Sequence, residues 1–251
     1  MILLTGGTGT LGRHVTPLLL EAGQQVRILS RHAQPPRDGV EYVTGDLVAG
    51  TGIAEAVAGV STILHLAGSN KGDDVATRNL MAAAKDVQHV VFISVIGADR
   101  VPLAWLKSQL AAEQAIKQSG VPWTILRAAQ FHDLVLKLAQ AMAKLPLVPV
   151  PGMRLQPVDV RDVAARLVEL TLGEPAGLVP ELAGPQEYEM RSVLTSYLQA
   201  TGKRRAKVPL RIPGKAGKAY RAGDNLTLDG ARGTRTWEAF LAERLQGSSR
   251  P

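Results

Sequence analysis

The chain has 251 residues, 45% of them apolar and 20% charged, with no cysteine and a formal net charge of +7. Such a length accommodates one large, well-buried core, and the absence of cysteine excludes disulfides, thiolate metal sites and cysteine nucleophiles. No apolar run reaches the roughly 18 residues of a membrane span, and the opening Met1-Ile2-Leu3-Leu4 runs straight into glycines, so a soluble, cytoplasmic chain without a signal peptide is expected.

Through residue 150, short apolar runs rich in β-formers alternate with longer amphipathic stretches, the pattern of repeated βα units on a parallel sheet. Strands are expected at 2–5, 25–30, 41–44, 62–66, 89–94 and 124–126, and helices at 10–22, 53–58, 74–85, 103–118 and 131–144. Gly23 and Gly120 supply helix stops. The predicted fold class is α/β, a doubly wound, mostly parallel Rossmann-type sheet. Pro146, Pro149, Pro151, Gly152 and Pro157 then break any long helix and suggest an extended crossing segment. Asp159 restarts a helix over 162–172, 192–200 reads as helical, 208–229 is rich in Gly and Pro, and 236–245 is a final short helix. The whole chain, 1–251, is read as a single domain, with 1–150 as its regular βα core and 151–251 as an irregular region covering the side where such sheets place their ligands.

Thr5-Gly6-Gly7-Thr8-Gly9-Thr10-Leu11-Gly12 follows the first strand and opens the first helix. Gly6, Gly9 and Gly12 satisfy G-x-x-G-x-x-G, while Gly7, Gly9 and Gly12 satisfy G-x-G-x-x-G. Glycines in this position permit a tight turn, let the backbone approach a phosphate and let the helix pack on the strand. The helix N-terminus stabilises an anion with unpaired N–H groups and a partial positive charge. Gly6, Thr8, Gly9, Thr10, Leu11 and Gly12 are therefore the candidate site for a dinucleotide pyrophosphate. The second strand ends in Ser30-Arg31 where an NAD-specific protein usually carries an acid on the ribose hydroxyls. Arg31, assisted by Ser30 and Arg13, suits a 2′-phosphate, so NADP(H) is favoured over NAD(H).

With that turn placed, Gly45-Asp46-Leu47, His65-Leu66-Ala67-Gly68, Phe92-Ile93-Ser94-Val95-Ile96-Gly97-Ala98-Asp99 and Thr124-Ile125-Leu126-Arg127 follow at the ends of successive strands. Together they resemble the atypical short-chain dehydrogenase/reductases, specifically the NmrA-like NAD(P)-binding group. The resemblance covers most of the chain and is strongest to about residue 165. It implies that Asp46 and Leu47 lie beside the adenine, that Ala67 and Gly68 line the cofactor cleft, and that Ser94 holds a substrate oxygen or borders the cofactor. It also implies that Gln130, Phe131 and His132 lie in the turn near the nicotinamide, where the group often carries a proline that this chain lacks.

Catalytic members of that superfamily carry Tyr-x-x-x-Lys on the helix after the fifth strand, where the tyrosine gives a proton and the lysine lowers its pKa. The resemblance puts Trp105 and Gln109 at those two positions, and neither does that chemistry. Lys107 is about 200° around the helix and faces away. Trp105 and Gln109 share a face and are candidates for the substrate pocket, and His132 and Ser94 are the candidate catalytic residues. The remaining histidines lack metal-ligand spacing, and no metal is expected.

Three functions fit this reading. One is an NAD(P)H-dependent oxidoreductase passing hydride to a small, apolar or aromatic quinone or activated carbonyl, whose reduced oxygen needs little help from an enzyme acid. The others are a non-catalytic NAD(P)-binding sensor and a redox-neutral isomerase or cyclase. The expected partner is a small molecule, with no nucleic acid and no membrane. Ten Lys/Arg between Lys203 and Arg235 face only Asp224 and Asp229; simple solvation, steering of an anionic cofactor or acidic substrate, and nucleic-acid contact are the readings of this basic segment, and no nucleic-acid motif accompanies it.

Overall fold

The structure, a computed structural model, describes residues 1–68, 72–227 and 229–247. The six expected β-runs form β1 (Ile2–Thr5), β2 (Val26–Ser30), β3 (Val40–Thr44), β4 (Thr62–His65), β5 (His89–Val95) and β6 (Trp123–Ala128), all parallel, in the order β3-β2-β1-β4-β5-β6. Between them run α1 (Gly12–Glu21), α2 (Ile53–Val57), α3 (Asp73–Ala83) and α4 (Ala104–Lys117); α5 (His132–Met142) follows β6.

Because side chains alternate along a strand, Ile2 and Leu4 enter one hydrophobic cluster and Leu3 the other. The first cluster lies under α1 and α6 (Val160–Leu172), the second under α2, α3 and α4. Both faces are thus covered, and consecutive crossovers on opposite faces open a crevice beyond the carboxyl ends of β1 and β4. The N-cap of α6 is Asp159, as its position in the sequence implied, with its carboxylate accepting from the Arg161 amide at 2.9 Å.

Beyond residue 146 the structure is more regular than the Gly/Pro content suggested. The crossing segment contains β7 (Leu147–Pro151) and β8 (Arg154–Leu155), and β9 (Gly177–Leu178) and β10 (Leu182–Ala183) pair with β6. Next come β11 (Tyr188–Glu189), paired with β8, then α7 (Met190–Ala200) and β12 (Ala206–Leu210), paired in parallel with β7. The chain continues with α8 (Gly214–Ala222), β13 (Ala231–Arg232) beside β10, and α9 (Trp237–Gly247). Of the Gly/Pro-rich stretch 208–229, position 228 lies outside the described residues. Helix α8 hides in that stretch because one of its glycines is a packing requirement: a Cβ at Gly217 would stand 1.9 Å from the Ile212 carbonyl oxygen. Helix α5 does not lie on the sheet but packs with α7 and α9 in a third cluster around Val135, Ala139, Leu194 and Trp237. Among the described residues no helix is long and apolar enough to cross a membrane.

A buried polar chain fastens the strand ends at the crevice. Thr77 donates its hydroxyl to the Asp73 carbonyl at 2.7 Å, so it receives the His65 Nε2–H at 3.0 Å. His65 Nδ1 is then the acceptor for the Thr5 hydroxyl at 2.6 Å, and Thr5 Oγ1 receives the Ala67 amide at 3.3 Å. This directionality assigns the neutral Nε2–H tautomer. Burial pushes the His65 pKa down to about 4. Between about 4 and the ordinary value near 6.5, the unfolded chain therefore binds more protons than the folded one, and stability falls as the pH falls through that window. The full effect is roughly 3 kcal/mol. His65→Gln is expected to flatten the loss of stability between pH 7 and pH 4, measured by chemical denaturation at each pH. An acid limb as steep as that of the unaltered chain would assign the sensitivity to other groups.

Candidate dinucleotide and acceptor cleft

The two readings of the glycine motif are separated by geometry. Gly6 has φ +72°, and a Cβ there would stand 2.7 Å from the backbone of Leu66 and Ala67. At Gly12 a Cβ would stand 2.4 Å from the Gly6 carbonyl oxygen, so this residue lets α1 press against the turn. Gly7 lies against Ile28. Gly9 meets only the Gly6 carbonyl oxygen at 3.2 Å and is exposed at the crevice. Gly6 and Gly12 thus build the turn, and Gly9 leaves space over it. The N-cap position, Leu11, provides no side-chain cap, and among the described residues the Thr10 and Leu11 amides have no intramolecular partner. Open amides at a helix start, beside a surface without Cβ atoms, fit a pyrophosphate.

From this turn the crevice extends in two directions. On one side Thr8, Leu29, Ser30, Arg31, Asp46 and Leu47 border a cavity of about 300 Å³. Asp46 Oδ1 accepts the Val48 amide at 2.7 Å and the Ala49 amide at 3.1 Å, and these bonds, aided by the nearby Arg31 charge, hold its carboxyl below the usual range. Ser30 is buried and uses its hydroxyl in the turn, donating to the His32 carbonyl at 2.8 Å and accepting from Gln34 Nε2 at 3.2 Å. Arg31 is exposed at the rim, whereas Arg13 is tied to the turn through the Thr8 carbonyl at 3.0 Å.

On the other side Leu66, Ile93, Val95, Ala128, Phe131 and Leu134 form the apolar wall of a cavity of about 420 Å³, shared with Gly6, Gly9, Ala67 and Gly68. Trp105 and Gln109 reach it from α4 and Gln130 from the segment after β6. Gln109 Nε2 donates to Asp73 Oδ2 in a buried bond, which fixes the orientation of the amide and leaves its buried Oε1 without a partner. Gln130 Oε1 is also buried and unpartnered. Two orphaned acceptors beside the glycine turn fit a ligand that carries N–H or O–H donors at this end, as a nicotinamide riboside does. Among the described residues, the lining groups that titrate are Asp133, paired with Arg244 at 2.6 Å, and Lys137. Lys107 is exposed and does not line the cavity.

Two residues expected to act here are otherwise engaged. His132 is fully buried and does not line the cavity; its ring stacks obliquely on Phe240 at 5.1 Å and Trp237 at 6.0 Å, with Nδ1 4.0 Å from Asp159. Burial pushes its pKa down although Asp159 opposes this. The expectation that His132 meets a substrate is corrected: residue 132 begins α5, and the turn of that helix aims 131 at the cleft and 132 at the third cluster. Ser94 borders the cavity, but its hydroxyl donates to Glu113 Oε1 at 2.6 Å.

That bond belongs to a network the sequence reading missed. Glu113 has no solvent exposure and receives Arg127 Nε on Oε1 and Nη2 on Oε2, both at 2.8 Å; Arg127 Nη1 donates to Asp99 at 2.7 Å. The available signal was an arginine within an otherwise apolar strand. Asp73 was also missed, since an acid at the start of α3 reads as an ordinary first-turn charge.

Residues 6–171 match the model of a family described as NAD(P)H-binding. The chain belongs to this family, in agreement with the NmrA-like resemblance. It is 31% identical over 222 residues to a (4-alkanoyl-5-oxo-2,5-dihydrofuran-3-yl)methyl phosphate reductase of Streptomyces griseus, covering 84% of this chain and 76% of that protein. It is 30% identical over 216 residues to an NAD(P)H azoreductase of Xenophilus azovorans, covering 81% and 74%. The fold is shared with an NADPH-dependent quinone oxidoreductase of Escherichia coli solved with NADPH, at a TM-score of 0.79 and 21% identity over 97% of this chain and 99% of that one.

The glycine geometry separates folding from binding. Gly12→Ala is expected to lower the melting temperature by several degrees, because its Cβ meets backbone that cannot yield. Gly9→Ala should leave the melt nearly unchanged and weaken NADPH affinity about tenfold or more. Calorimetric melts and fluorescence titration with NADPH distinguish the two.

Proposed function

We propose that the chain is an NAD(P)H-dependent oxidoreductase for a small quinone-like or similarly activated apolar acceptor, with NADPH preferred. The observation that carries this reading is the unbroken passage from the glycine turn into an apolar cavity whose α4 wall offers Trp105 and Gln109 and no proton donor. Bound NADPH supplies the reducing hydride. The amides of Thr10 and Leu11 and the open face of Gly9 hold the pyrophosphate, and Arg31 pairs with the 2′-phosphate. Asp46 and Leu47 border the adenine, and Ala67 and Gly68 let the cofactor lie close to the end of β4. Gln109 and Gln130 accept hydrogen bonds at the nicotinamide end, and Trp105 and Phe131 flank a flat acceptor.

A tyrosine acid is dispensable for this acceptor class. A reduced quinone leaves as a stabilised phenolate and takes its proton from water, so positioning supplies most of what the protein contributes. Ser94, with its proton engaged by Glu113, serves this reading as a fixed wall rather than as an acid. The (4-alkanoyl-5-oxo-2,5-dihydrofuran-3-yl)methyl phosphate reductase, azoreductase and quinone oxidoreductase relatives support a reductase.

NADPH oxidation with a panel of soluble quinones, azo compounds and simple ketones tests this assignment. Turnover with the quinones or azo compounds, and little with simple ketones, is expected; tight NADPH binding with no turnover on any acceptor would instead indicate a binding protein. The cofactor preference is tested separately by Arg31→Ala, which should raise the KM for NADPH roughly ten- to hundredfold, the worth of a charge-assisted hydrogen bond, while leaving that for NADH within about threefold. Equal losses with both cofactors would remove Arg31 from the 2′-phosphate.

A further inference from the structure

The basic segment singled out in the sequence has no part in the cleft. Its strand β12 and its partner β7 stand apart from the central sheet as a two-stranded parallel ladder, pairing Ala206 with Leu147, Val208 with Pro149 and Leu210 with Pro151. Since side chains alternate along a strand, these six share one face. On the opposite face Val148 and Val150 enter the third cluster and Lys207 turns inward, donating to Thr195 Oγ1 at 2.7 Å. The shared face meets solvent: Leu147 is 59% exposed, Val208 46% and Leu210 49%. Parallel ladders are ordinarily covered on both sides, so a bare apolar face on one of them marks a contact surface.

The charges beside this face have no acidic neighbours in sequence. Residues 203–223 contain eight Lys/Arg and no Asp or Glu. Lys203, Arg204 and Arg205 precede β12 and Arg211 and Lys215 follow it, and none of these five forms an ion pair among the described residues. A second copy of the chain would bring two such rims together against like-charge repulsion. An anionic surface satisfies both the apolar face and its rim.

We propose that the β7–β12 face docks on an anionic phospholipid bilayer. Leu147, Val208 and Leu210 enter the boundary between headgroups and acyl chains, and the flanking guanidinium and ammonium groups meet the lipid phosphates. The proposal departs from the expectation from sequence that the chain has no membrane partner. It concerns peripheral attachment and is independent of the reaction in the cleft. Helix α5 connects the two features: its first turns give Leu134 and Lys137 to the cleft wall, and its end leads through exposed Leu145 to Leu147. Its 11 residues span about 16 Å.

Co-sedimentation of the full chain with vesicles tests this docking. Binding is expected to phosphatidylcholine vesicles containing about one third phosphatidylglycerol, and should be weaker by about tenfold or more with phosphatidylcholine alone or at high salt. Val208→Ser with Leu210→Ser, and separately Arg204→Gln with Arg205→Gln, alter exposed side chains only. Each pair should weaken vesicle binding about tenfold while leaving the thermal melt and the NADPH affinity unchanged. Absence of binding to both vesicle types would overturn the proposal, as would undiminished binding by the serine pair. A dimer in free solution that the serine pair converts to monomer would also overturn it, assigning the face to a second copy.

Discussion

The position of the α4 wall of the cleft depends on one buried carboxylate. Glu113 accepts both prongs of the Arg127 guanidinium from β6 and the Ser94 hydroxyl from β5, with no exposure to solvent. Desolvating such a pair costs several kcal/mol per ion and is offset only when the geometry is good and the remaining lone pairs are used. Here the guanidinium is bidentate, its third nitrogen reaches Asp99, and Lys117 stands 3.6 Å from Glu113 Oε2. Removing one partner alone would leave an uncompensated buried charge, a loss of about 3–5 kcal/mol. Trp105, Gln109 and Glu113 are spaced four residues apart and share one helical stripe. The ion pair therefore sets how α4 lies on β5 and β6, and with it what Trp105 and Gln109 present to the cleft.

The same stripe explains how a short-chain dehydrogenase scaffold keeps its cleft without its usual acid and base. Gln109 retains a polar anchor through Asp73 at the start of α3, so the helix is held at the cleft by a neutral amide. Trp105 brings area in place of a proton, and packs in a cluster with Leu103, Leu110 and Tyr220. The cluster draws α8 against α4, so the C-terminal region braces from behind the helix that forms this wall.

What the sequence made legible follows from the range over which each signal acts. Alternating apolar runs and the glycine turn are local, and β1 through β6 emerged within a few residues of their expected limits because parallel strands buried on both faces read as continuous apolar runs. Asp159 was legible as a helix start for the same reason: an N-cap acts on amides two residues away. The side-chain direction of His132 is not local. Whether the first residue of α5 meets the cleft or the third cluster is decided by α7 and α9, more than fifty residues downstream, so Gln130 and Phe131 line the cavity while His132 turns away from it. The Glu113–Arg127 pair joins a helix and a strand whose sequence spacing carries no pattern.

Glycine and proline misled in a physically instructive way beyond residue 146. Both residues lower the propensity of any single strand or helix, yet β7 accommodates Pro149 and Pro151 because, among the described residues, it pairs with β12 alone and leaves its other edge unpaired. The tolerance that permits proline in that strand also leaves the ladder small and one of its faces uncovered. An isolated ladder of this kind gains little from its own hydrogen bonds, and its stability comes from Val148 and Val150 inserted among the side chains of α5 and α7. Its outer apolar residues contribute nothing to that insertion. Exposed on the uncovered face, they are the residues that the proposed docking on a bilayer uses.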